Sequence, residues 1–129
     1  MNDFVLYNPG GSEVVLNRKN WQAYTTQSGY IKLSGRSPQT IARRCSKYDL
    51  RHCKPGAITD AVTGEAVFCR YISLIPAHIV LEWMFRDNIE KAIVIGTAGA
   101  SIYLYELAGL QVKVTLTEKL VNNSDKGEG

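Results

Sequence analysis

Between Arg18 and Lys54 the chain carries nine cations (Arg18, Lys19, Lys32, Arg36, Arg43, Arg44, Lys47, Arg51 and Lys54) against one acid, Asp49, a local net charge of +8. The first seventeen residues are net −2 and residues 55–129 net −3, so the overall +3 conceals a divided chain. Clustered Lys and Arg release counterions from a phosphate backbone, which drives association with a polyanion without choosing a sequence. Interleaved with these cations stand Ser37, Gln39 and Thr40. Such side chains bond base edges or phosphates, and Gln pairs bidentately with adenine. Arg18, Lys19, Lys32, Arg36, Ser37, Gln39, Thr40, Arg43, Arg44 and Lys47 therefore form the candidate DNA-binding set. The plainer alternative is a solvated basic face.

The remaining chemistry-bearing residues do not assemble into a second site. Cys45, His52, Cys53, Cys69 and His78 offer thiolate and imidazole ligands, yet none has the Cys-x-x-Cys or His-x₃-His spacing of a zinc site. Three cysteines with no visible export signal imply reduced thiols rather than a disulfide scaffold, and Cys45 belongs to a helical apolar face. His52 and Cys53 are sequence neighbours whose side chains tend to diverge. Glu82, Asp87 and Glu90 are explained as exposed helix charges. No catalytic set, metal or cofactor is expected, and the chain is not read as an enzyme.

Positioning the basic set requires local structure that the sequence also marks. Asn8-Pro9-Gly10-Gly11 is a turn between the apolar stretches Phe4–Tyr7 and Val14–Leu16, a small hairpin. Asn17 is suited to cap a helix through Trp21 and Tyr24. Ser37 as N-cap and Pro38 at the first helical position start a helix to about Tyr48. Ile41, Cys45 and Tyr48 form its apolar side, leaving Gln39, Thr40, Arg43, Arg44 and Lys47 on the remaining surface. After Lys54-Pro55-Gly56 the chain reads as loop to Gly64, then as a strand over Val67–Leu74 that pairs with the N-terminal hairpin. Pro76 opens a helix that buries Ile79, Val80, Trp83 and Met84 and ends near Asp87-Asn88. Ile89–Ile95 is compatible with helix or strand. A further helix through Ile102 and Leu107 closes at Gly109, and Leu110–Thr117 alternates as a half-buried strand.

The window Ser28–Cys45 resembles a helix-turn-helix, with Gly35 at the left-handed turn and Ser37 capping the second helix. The run Gly35, Ser37, Gln39-Thr40-Ile41 and Arg43 is similar to the turn and recognition helix of lactose-repressor-type regulators, and to small phage and plasmid regulators of antirepressor-like type. Arg36 and Arg44 stand where that motif usually carries apolar residues, and Gly29 is a poor helix former, costing about 1 kcal/mol relative to Ala. The resemblance implies that Gln39 and Thr40 meet base edges while Arg43, Arg44 and Lys47 hold phosphates. A second window, Ala92–Ser101 with Val112–Glu118, resembles the opening βαβ of a dinucleotide-binding fold. Gly96 fits its first glycine, but Ala98 and Ser101 occupy the other two positions and no chain remains for a larger sheet.

These features imply an α+β, mostly helical protein: a helix-turn-helix segment with a small N-terminal hairpin and a C-terminal strand. At 129 residues, 45% apolar, one domain over 1–121 is expected, with a basic segment 18–54, a core or dimerisation part 67–117 and a disordered tail 122–129. No apolar run approaches a membrane span and no secretory signal is visible, so a cytoplasmic protein is expected. The expected function is double-stranded DNA binding in transcription regulation, as a homodimer built on the aromatic set around Trp83, Phe85, Tyr103 and Tyr105. The alternative is an interaction module or inhibitor that binds a partner protein through its basic face. A protein partner for the acidic C-terminal half is also compatible.

Overall fold

A computed structural model of the chain describes residues 3–89 and 100–110. Its elements run β1 (Phe4–Tyr7), β2 (Val14–Asn17), β3 (Gln22–Thr26), α1 (Gln27–Ser34), α2 (Pro38–Lys47), β4 (Arg51–Cys53), β5 (Ile58–Asp60), β6 (Ala66–Val67), β7 (Ile72–Pro76), α3 (Ala77–Arg86) and α4 (Ala100–Leu107). The seven strands form one curled, half-barrel sheet in the order β4-β7-β3-β2-β1-β5-β6. All its pairings are antiparallel except β1 with β5.

This architecture corrects the expectation of a mostly helical protein. The sheet is the organising element; among the described residues α1, α3 and α4 pack on it and α2 packs on α1. The physical reason is burial on both faces. Val14 and Leu16 of β2 join the helix-side core, with Ala23, Tyr30, Ile41, Cys45, Ile75, Val80, Trp83, Met84 and Leu104. Val15 faces the opposite way, into a second core with Phe4, Leu6, Tyr24, Cys53, Ile58 and Leu74. Among the described residues, every member of that second core comes from a strand. A strand buried on both sides reads as a short apolar run rather than an alternation, so its period is lost.

Two local expectations are corrected with it. No helix follows Asn17: β3 pairs antiparallel with β2, Val14 opposite Thr25 and Leu16 opposite Ala23. The Asn17 side chain accepts the Lys19 N–H at 3.0 Å and its carbonyl accepts the Trp21 N–H at 2.7 Å, so the residue builds a turn in which Trp21 adopts φ +59°. Asn serves a helix cap and this turn through the same amide oxygen, and residue type alone does not separate them. The single strand over Val67–Leu74 is likewise two, β6 and β7, interrupted where Phe68 takes φ +66°. The loop to Gly64 contains β5, parallel to β1. The N-terminal hairpin is present with its turn at Asn8–Gly11, and Pro76 ends β7 at the N-cap of α3. The expected strand beyond Leu110, the tail 122–129 and the dinucleotide-like window before Ala100 lie outside the described residues. No helix among the described residues is long and apolar enough to cross a membrane.

Candidate nucleic-acid interface

The basic segment is woven into the sheet. It supplies the turn carrying Arg18 and Lys19, then β3, a central strand, and only then the two helices. Thr26, the last residue of β3, caps α1 by accepting the Gly29 N–H at 2.9 Å. Gly29 is there for proximity: a Cβ on it would come within 2.5 Å of the Glu13 carbonyl oxygen and 2.8 Å of the Glu13 nitrogen. Gly35 ends α1 at φ +72°, its N–H bonded to the Ile31 carbonyl at 2.9 Å. Ser37 then caps α2, accepting the Thr40 N–H at 3.2 Å, and its hydroxyl lies 2.8 Å from that of Thr40.

Burying Ile41 and Cys45 orients α2. Gln39, Arg43 and Lys47, four residues apart, consequently form one exposed stripe along its outer side. Residues 35–39 are all exposed, so the turn and the start of α2 stand out in solvent. Lys32 is exposed on α1. From Gln27 to Tyr48 there is no acidic residue, and among the described residues no ion pair engages Lys32, Arg43 or Lys47. Thr40 is half-buried with its hydroxyl held at the cap. Arg18 and Lys19 are exposed, but at the end of the β2–β3 hairpin opposite to the start of α1.

Arg44 points inward. Its guanidinium donates to both Asp87 oxygens, at 2.8 and 2.6 Å, and lies over the Trp83 ring, 5.6 Å from the centroid. Asp87, expected as an exposed helix charge, is buried at the end of α3, where the Tyr30 hydroxyl donates to it at 2.7 Å. Arg36 Nε is 3.2 Å from the same carboxylate with its side chain 46% exposed, so Arg36 is only partly available to an outside anion. Hydrogen bonds from Arg44, more than burial in the opposite sense, hold the Asp87 carboxyl below the usual carboxylate range. Burial and then the bond to Asp87 push the Tyr30 hydroxyl far above its ordinary range. Trp83 completes the group, edge-on to Tyr30 and Tyr48 with centroids 5.3 and 5.5 Å away.

Sequence reasoning missed Asp87, Tyr30 and Trp83 as one cluster. The signal was present in Arg36 and Arg44, cations at positions where the resembled motif carries apolar residues. A cation facing a core needs an anion, and Asp87 supplies it. Trp83 is fully buried and so leaves the expected dimer surface; Phe85 is exposed, Tyr105 is half-buried, and nothing is described of the Tyr103 side chain. Cys45 and Cys53 fall in the two separate cores, their thiols pushed up by burial. Comparison with protein families, curated proteins and solved structures finds no match to this chain.

Proposed function

We propose that this protein binds double-stranded DNA through α2 and the turn before it, in the manner of a transcription regulator. The observation that supports this most is the exposed Gln39–Arg43–Lys47 stripe, free of acids and continued by Lys32. In this reading Gln39, near the N-terminus of α2, meets a base edge, and Arg43, Lys47 and Lys32 hold phosphates. Arg36 contributes the exposed part of its side chain. Ser37 and Thr40 set the helix start, Arg44 fixes the helix against α3, and Arg18 and Lys19 extend the positive field from another part of the surface. Assignment to the cytoplasm and self-association as a dimer belong to the same proposal.

The test is duplex affinity across a salt series. Three phosphate contacts predict a logarithmic slope of about −3, at roughly −0.9 for each. Gln39→Ala should narrow the gap between preferred and random sequence by about 1–3 kcal/mol, whereas Lys47→Ala should weaken both alike. Equal losses on both sequences from both variants would reduce α2 to a charge platform.

A further inference from the structure

A second surface adjoins α2. Between α1 and the segment joining β6 to β7 runs a groove of about 650 Å³, lined among others by Lys32, Pro38, Arg70, Tyr71 and Glu13. Lys32 and Arg70 are exposed there, and Tyr71 leaves 67% of its surface in solvent. Among the described residues Glu13 is the one acid of the lining. It is buried, accepting the Thr26 hydroxyl at 2.7 Å through Oε1 and the Gly10 N–H at 3.0 Å through Oε2. Its charge is thus turned into the fold and leaves the cations of the groove unopposed.

Cations that follow a phosphate chain, beside an exposed aromatic ring on which a base can stack, are the two parts of a single-strand binding surface. A base inside a duplex has both faces covered by its neighbours; an unpaired one does not. We propose that this groove takes an unpaired nucleotide, or a short single-stranded segment, flanking the duplex held by α2. The inference rests on the α2 reading to the extent that the two surfaces share Lys32 and Pro38.

Three probes separate the surfaces: a blunt duplex, the same duplex with a short oligothymidine tail, and the tail alone, each titrated by fluorescence anisotropy. The tail should tighten binding to the duplex by about 5- to 150-fold, the range expected for stacking one base. Tyr71→Ala should remove that increment and leave the blunt-duplex affinity and the thermal midpoint unchanged, since the ring is exposed; Tyr71→Phe should retain it. Equal affinity for blunt and tailed duplex, or an increment that survives Tyr71→Ala, overturns the inference. Binding of the tail alone, dependent on Tyr71, without any duplex binding would keep the groove and remove the α2 reading. Binding of none of the three removes both.

Discussion

At the Asp87 carboxylate, Tyr30 of α1, Arg36 of the turn and Arg44 of α2 meet the end of α3. Removing one member of a buried, hydrogen-bonded ion pair leaves the other uncompensated, so Asp87→Asn should cost about 3 kcal/mol in denaturant unfolding. Asp87→Asn together with Arg44→Met should cost less than the sum of the two single changes. The same carboxylate sets a pH dependence. Its folded pKa lies below the unfolded value of about 4, so its stabilisation is complete above that value and lost as the pH falls through the folded pKa. Asp60, held low by the N–H groups of Thr63 and Val62, acts in the same direction. Asp87→Asn should therefore flatten, but not abolish, the fall of stability in acid. An unchanged acid profile would mean that Asp87 is not the anion Arg44 depends on.

At the level of elements, α2 was legible in the sequence because its start rests on local chemistry, Ser37 as a cap and Pro38 at the first turn; of α1 only the end at Gly35 was marked, and its start at the Thr26 cap was not read. Gly29 was legible only as a weakness. Its reason is tertiary, the approach of α1 to the backbone of Glu13, and no local rule contains it. Gly29→Ala gains about 1 kcal/mol in helix propensity but forces backbone apart, at a cost typically of about 1–3 kcal/mol. The variant should unfold at lower urea than the parent; a higher midpoint would contradict the close approach. The sheet elements were less legible because each spans only two to five residues. β1 and β2 were legible from the Asn8–Gly11 turn between them, although β2 is buried on both faces; β3, with Ala23 in one core and Tyr24 in the other, shows no alternation and read as helix. At the candidate interface, the exposed members Gln39, Arg43, Lys47 and Lys32 followed from composition and helical spacing. The inward turn of Arg44 required knowing that α3 ends beside α2, and Tyr71 joins the groove only through the path of β6 and β7.

For the molecule as a whole, charge division along the sequence becomes a geometric arrangement. A curled sheet with two cores presents α2 outward, with exposed cations on its stripe, on α1, at the β2–β3 turn and beside Tyr71. Arg44 and, in part, Arg36 have been withdrawn to hold the helices together. Duplex binding is proposed for the Gln39–Arg43–Lys47 stripe. It is tested most directly by comparing the salt dependence of duplex affinity for the parent chain and for Arg43→Ala/Lys47→Ala, whose exposed side chains can be truncated without opening either core. Measurable binding at low salt is expected, with a slope of about −3 for the parent, reduced by about 2 in the double variant. No binding at low salt, or the same slope in both proteins, would contradict it.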